Sequence, residues 1–282
     1  MNCAWRSFMN LLPQKYRTAA SNYETSLEEI RLRVGQEPEL ATRDGSTWLK
    51  EPVTGSDLSF VINAASRYSP WTASTVRRGY ITSQGGHRIG LCGEAVMQNG
   101  EMTGIRNPIS VNIRIARDFP GIAKHALGYK GSILILGRPG SGKTTLLRDL
   151  IRQHSEEGDG AVAVVDERGE LFPVVDQSSC FFPGRRTDVL SGCTKAQGID
   201  CLLRTMGPRW IAVDEITAED DCKALMNAGW SGVKLMATAH AEDLSDLYSR
   251  PIYRPLVQSK LFDTVLILNE HKTWLAERMN TR

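Results

Sequence analysis

Five short, nearly unbroken apolar runs mark the second half of the chain: Ile133–Leu136, 161–165, Trp210–Val213, 233–238 and 262–268. Runs of this length without a polar alternate read as strands covered on both faces, the pattern of a parallel sheet. Stretches with helical spacing separate them, one opening at Lys143, one over 197–206 and one beginning around Thr217, Glu219 and Asp220. Strand, crossover and strand in this order predict an α/β domain with helices on both faces of the sheet.

The first 118 residues have a different texture. Trp5, Phe8, Met9 and Leu12 recur at helical spacing until Pro13 interrupts them, predicting a surface helix whose apolar stripe packs on the rest. Residues 27–34 (LEEIRLRV) alternate enough for a strand or a short helix, ended by Gly35. Asp44, Gly45 and Ser46 form a hairpin-turn signal, and Asp57 is placed to cap a helix through Phe60, Val61 and Ala64. Residues 76–116 break into short β segments punctuated by glycine: GYIT, HRIGLCGEAV and VNIRIA. The pattern predicts a smaller α+β domain over 1–118, a boundary at Phe119-Pro120-Gly121, and the α/β domain over 119–282.

Composition narrows this only slightly. Hydrophobic residues make up 41% and charged residues 23% of 282, as in ordinary soluble globular proteins, and a net charge of +2 gives no strong sign of nucleic acid. Six cysteines are scattered without a C-x-x-C pair or zinc spacing, which reads as free thiols in a reducing compartment. No apolar run approaches the roughly 20 residues that span a bilayer, and no signal-peptide core is visible. The expectation is a cytoplasmic protein whose membrane contact is peripheral.

Between the first strand and the helix at Lys143 lies Gly137-Arg138-Pro139-Gly140-Ser141-Gly142-Lys143-Thr144, which matches G-x-x-x-x-G-K-[ST] at every fixed position. Glycines let the backbone curl with its N–H groups inward around phosphate oxygens, and the helix adds the positive end of its dipole. Lys143 would bridge the β- and γ-phosphates of ATP, the Thr144 hydroxyl would sit on Mg²⁺, and Thr145 continues the cradle. Two strands end in acids: Asp166, Glu167 and Glu170 after the second run, Asp214 and Glu215 after the third. Asp214 is assigned to the metal side, through water, and Glu215 to polarising the attacking water. His240 follows the fourth run, at the strand end where ligands of parallel sheets collect. Arg77, Arg78, Arg88, Arg114 and Arg117 crowd the β-rich segment upstream, from which one or two could reach a neighbouring subunit's nucleotide. Asn269-Glu270-His271-Lys272 is not the N-K-x-D of guanine selection.

These segments together resemble the sporulation stage III AA ATPase family, relatives of the hexameric secretion and pilus-motor ATPases. The resemblance rests on LEEIRLRVG, RRGYIT with GGHRIGLCGEAV, ISVNIRIAR, GRPGSGKTTLLRDL, VVDERGEL, RTDVL, IAVDEI and ATAHAEDL. It implies a RecA-like P-loop ATPase domain behind the N-terminal α+β domain. It implies that Glu215 is the general base, that Glu167 or Glu170 belongs to an acidic box and His240 to a histidine box, and that Arg88 and Arg114 lie in the N-terminal segment that supplies arginines acting in trans. Asp214 departs from the secretion-ATPase pattern, which has glycine there, and the long N-terminal docking module of those enzymes is missing. The resemblance further implies a homo-hexamer on the mother-cell side, working with membrane-embedded channel proteins that join two cells in an endospore-forming bacterium.

Three functions follow as expectations. The first is an ATP-hydrolysing motor in which nucleotide at a subunit interface holds the two domains closed. The second is an assembly scaffold that binds nucleotide with negligible turnover. The third is a nucleic-acid-translocating ATPase of the same core, which the near-neutral charge disfavours.

Overall fold

Pro13 divides the N-terminal apolar stripe into two helices, α1 (Ala4–Leu11) and α2 (Gln14–Ser21). The computed structural model describes residues 4–42, 44–66, 79–129, 131–158, 160–175 and 178–279. They fall into two units, 1–118 with 173–181 and 119–172 with 182–282. Arg77, Arg78, Cys3 and the start of the 76–116 segment lie outside the described residues.

In the first unit, β1 (Leu27–Arg33), β2 (Glu39–Thr42), β3 (Gly45–Trp48), β4 (Tyr80–Thr82), β5 (Arg88–Gln98) and β6 (Glu101–Arg114) form an antiparallel sheet in the order β3-β2-β1-β6-β5-β4. Residues 27–33 are a strand, and their ambiguity has a cause. A bulge between Leu27 and Glu29 spaces the buried Leu27, Ile30 and Leu32 irregularly, so strict alternation is lost. The Asp44-Gly45 signal closes the β2–β3 hairpin as expected. Phe8, Leu12, Tyr16 and Val61 pack with Ile30, Leu32 and Ile113 into one core.

Two expectations are corrected here. Asp57 does not cap α3 (Gly55–Ser66) but sits in its first turn, while Thr54 takes the cap position. The Asp57 carboxylate accepts from Thr54 N–H and Oγ1, both at 2.8 Å, and the Asp57 N–H returns a bond to Thr54 Oγ1 at 3.3 Å. This is a reciprocal capping box in which Thr54 is the cap and Asp57 its acidic partner. The glycines of 88–114 also do not end short strands: β5 and β6 are one long ribbon. A Cβ on Gly93 would lie 2.7 Å from the Arg106 and Asn107 carbonyl oxygens, so this glycine allows a close approach at a bulge.

The second unit carries β7 (Ile133–Leu136), β8 (Val162–Asp166), β9 (Thr187–Ser191), β10 (Trp210–Val213), β11 (Lys234–Ala239), β12 (Thr264–Leu268) and β13 (Trp274–Arg278). Their order is β9-β8-β10-β11-β7-β12-β13, parallel throughout except for the β12–β13 edge pair. The last apolar run therefore does not close the sheet, because 274–278 adds an antiparallel strand outside it. Every residue of β7, β8 and β10 is buried, which requires cover on both faces. Leu136, Val213, Leu235 and Ala237 share a core with α5 (Lys195–Thr205) and α6 (Glu219–Trp230). The helix α4 (Lys143–Glu157) packs on β7, β8 and β11.

Cys92, Cys180, Cys193, Cys201 and Cys222 are free thiols. No helix among the described residues is long and apolar enough to cross a membrane.

Candidate active site

The C-terminal ends of β7, β10, β11 and β8 lie side by side, so the residues just beyond them meet. The β7 strand runs into the glycine loop at Gly137, and the helix opens at Lys143 after Gly142, whose φ of +101° is open to glycine without strain. Gly137 is fixed by crowding: a Cβ there would lie 2.5 Å from Ser141 Oγ and 3.3 Å from the Leu268 backbone oxygen.

Lys143 is only 6% exposed, and its ammonium donates to the carbonyls of Gly137 at 2.7 Å and Arg138 at 2.9 Å. Its third proton points at His240 Nδ1, 3.1 Å away. An ammonium has no lone pair, so Nδ1 must accept, and the imidazole proton resides on Nε2. From there it reaches Glu215 Oε1 at 3.0 Å. A hydrogen-bonded chain thus runs from the loop lysine through His240 to Glu215. Burial pushes the Lys143 ammonium below its ordinary pKa, and the Asp214 and Glu215 charges pull it part of the way back.

The other members interlock. Thr144 Oγ1 donates to Asp214 Oδ2 at 2.7 Å, and Thr238 Oγ1 donates to Asp214 Oδ1 at 2.6 Å. Thr238 also accepts the Glu215 N–H at 2.7 Å. That bond holds a strained residue, since Glu215 has a φ of +55°, a left-handed conformation that costs a non-glycine residue on the order of 1–3 kcal/mol and clusters at functional sites. Glu215 Oε2 accepts from Arg168 Nη1 at 2.8 Å, so both carboxylate oxygens are engaged.

Asp166, Glu167, Arg168, Glu170, Lys195, Asp214 and Glu215 line one recess. Asp166 is 2% exposed and binds the loop that follows it, accepting from the Glu170 and Phe172 N–H groups at 2.9 and 2.8 Å. Burial pushes its carboxyl above the usual range, against those N–H bonds. Glu167 pairs with Lys195.

Of the residues singled out in the sequence, Gly137, Ser141, Gly142, Lys143, Thr144, Asp214, Glu215 and His240 come together, with Glu167 and Glu170 on the adjoining recess. Arg138 points elsewhere, to Glu242 at 2.9 Å and Glu270 at 3.3 Å, and with Pro139 and Gly140 it is exposed. Thr145 is half-buried on the first turn of α4. Arg88 and Arg114 lie directly opposite one another across β5 and β6 in the N-terminal unit. Arg88 stacks on Tyr80 at 4.0 Å, and Arg114 Nε lies 3.9 Å from Glu29. Three participants escaped the sequence reading as site residues: Thr238, Arg168 and Lys195. Lys195 left a trace, because a lysine in the first helical turn opposes the helix dipole and calls for an acidic partner.

The loop fits a phosphate. Ser141 Oγ is buried with no hydrogen-bond partner among the described residues, and Lys143 is a desolvated cation facing carbonyls and a neutral imidazole. An anion seated on the loop would satisfy both. Thr144 and Asp214 suit Mg²⁺, which takes few protein ligands alongside waters and phosphate oxygens.

Residues 8–275 match the family model described as sporulation stage III, protein AA. The chain is 36% identical over 276 residues to the stage III sporulation protein AA of Bacillus subtilis (strain 168), covering 93% of this chain and 90% of that one. Among solved structures it resembles the Legionella pneumophila ATPase DotB, with a TM-score of 0.58 at 16% identity, covering 94% of this chain and 78% of that chain. It also resembles the pilus retraction motor PilT with bound ADP, with a TM-score of 0.59 at 14% identity, covering 89% and 76%. At such identities the likeness is one of fold: a RecA-like P-loop domain with an N-terminal α+β domain.

Proposed function

This chain belongs to the sporulation stage III AA family, and from that premise we propose that it is an ATP-hydrolysing, secretion-type motor ATPase. The observation that supports the reading is the chain Lys143–His240–Glu215 beside Thr144–Asp214, in which the glycine loop and the Asp214 and Glu215 carboxylates meet at adjoining strand ends. ATP would seat its β- and γ-phosphates on residues 137–144. Mg²⁺ held by Thr144 and, through water, by Asp214 would neutralise charge on the phosphate oxygens. Glu215 would take the proton of the attacking water, with His240 orienting the carboxylate. The test is phosphate release by the wild type against Glu215→Gln.

Arg88 and Arg114 would serve the nucleotide of a neighbouring subunit in a homo-hexamer. Like charges directly opposite across two strands are destabilising, so a functional reason for the pair is reasonable. With two arginines sharing the place, Arg114→Ala is expected to leave nucleotide binding intact and to cut turnover by about tenfold, less than a lone finger is worth. Mixing it with Glu215→Gln protomers should partly restore turnover; no restoration would place the effect within one subunit. The ring would work on the cytoplasmic, mother-cell side, peripheral to a membrane, with membrane-embedded channel proteins between mother cell and forespore.

One observation favours the scaffold reading, in which nucleotide is bound and turnover is negligible. Arg168 and His240 each hold one Glu215 oxygen, which takes one lone pair from each and lowers the carboxylate's basicity toward an attacking water. The Arg168 side chain is 54% exposed, and such pairs are worth about 0–1 kcal/mol, so the lock would be weak. Arg168→Ala is therefore expected to raise basal phosphate release by about two- to fivefold. A fall would mean that this guanidinium assists the reaction.

A further inference from the structure

Lys195 is the least expected charge in the second unit. It is 3% exposed, at the start of α5, where the helix dipole disfavours a cation. A buried ammonium needs partners, and it has two carboxylates from two other elements. Glu167, just past β8, pairs with it directly, and Asp221 in the first turn of α6 lies 3.6 Å away. Asp221 is itself buried, and its Oδ2 accepts the N–H groups of Thr217 at 3.0 Å and Ala218 at 3.1 Å. Those are the second and third residues after Glu215. The turn bearing the strained Glu215 is thus held at one end by Thr238 and at the other by Asp221, which Lys195 pins.

We infer that Lys195 is a positioning residue for Glu215, acting through Asp221, and that it ties the acidic exit of β8 to that of β10. The inference rests on the reading of Glu215 as the base. Without the ammonium, the Glu167 and Asp221 carboxylates would face each other with no cation between them, and their repulsion would be relieved by movement of the Thr217–Ala218 turn. Lys143 and Thr144 sit on α4 and, among the described residues, make no hydrogen bond or ion pair with Glu167, Lys195 or Asp221; Lys143 reaches Glu215 through His240 alone, so nucleotide binding should change little. A misplacement of about 1 Å in a catalytic group can cost on the order of 10²-fold.

The experiment uses the full chain with Lys195→Met, close in volume and uncharged, and Asp221→Asn, which keeps an oxygen for the two N–H groups. Steady-state phosphate release is followed against Mg-ATP concentration, and binding of a fluorescent ATP analogue is titrated. The expected result is a fall in kcat of about 10–100-fold with KM and analogue Kd within about threefold. The double variant should be no worse than the single ones, because both cut the same link. Asp221→Asn carries the test alone if Lys195→Met does not fold. Unchanged kcat in a folded variant overturns the inference. So does a rise of KM and Kd in step with the fall in kcat, which is the sign of general destabilisation. Lys143→Ala runs alongside: if it binds the analogue and turns over like wild type, the site reading fails, independently of Lys195.

Discussion

Glu215→Gln is expected to retain ATP and to release phosphate about 10²–10⁴-fold more slowly than the wild type, the range that a positioned general base supplies. The substitution keeps the shape of the side chain and its contact to His240, since an amide oxygen still accepts from Nε2–H. It removes the one property the reaction needs, a carboxylate able to take a proton. Its amide nitrogen would also face Arg168, donor against donor, so that guanidinium should swing away. Lys143, Thr144 and Asp214 are untouched, so nucleotide should remain bound through gel filtration. Turnover equal to that of the wild type would remove Glu215 from the base role, and equal rates that are both negligible would favour the scaffold reading.

The parts of this site legible in the sequence are those whose chemistry is local. Glycine, lysine and threonine at fixed spacing after an apolar run specify strand, loop and helix together, because each link lies within a few residues of the next. Likewise 210–213 reads as a buried strand and ends where the structure ends it, because nothing polar interrupts it. Residues 161–165 and 233–238 were displaced by one position, since Asp166 and Ala239 extend their strands by pairing with neighbours that no local pattern reveals. Pairings between distant segments were the invisible part. Nothing in 233–238 says that β11 lies between β7 and β10, yet that order puts Thr238 on Asp214 and His240 between Lys143 and Glu215. Lys195 and Asp221 are 26 positions apart by number and meet only because α5 and α6 pack together. The long β5–β6 ribbon reads in sequence as short segments because glycine usually marks a strand's end, whereas Gly93 marks a place with no room for a side chain.

Lys143→Ala is the second large effect, and its signature separates binding from folding. Two charge-assisted hydrogen bonds to phosphate oxygens at about 1.5–3 kcal/mol each put the loss of nucleotide affinity at about 10²–10⁴-fold. Turnover should fall with it, because His240 loses the donor at Nδ1 that fixes its proton on Nε2 and hence its bond to Glu215. Stability should respond differently. Burial lowers the Lys143 pKa, so the fold holds the ammonium at a cost relative to the unfolded chain; its deletion relieves that cost while losing three hydrogen bonds. The two effects oppose, and the thermal midpoint without nucleotide should move by no more than about 2–4 °C, the shift that 1 kcal/mol produces in a domain of this size. Added Mg-ATP should raise the midpoint of the wild type and leave that of Lys143→Ala where it was. Equal stabilisation of both proteins by Mg-ATP would mean that the nucleotide sits somewhere other than residues 137–144.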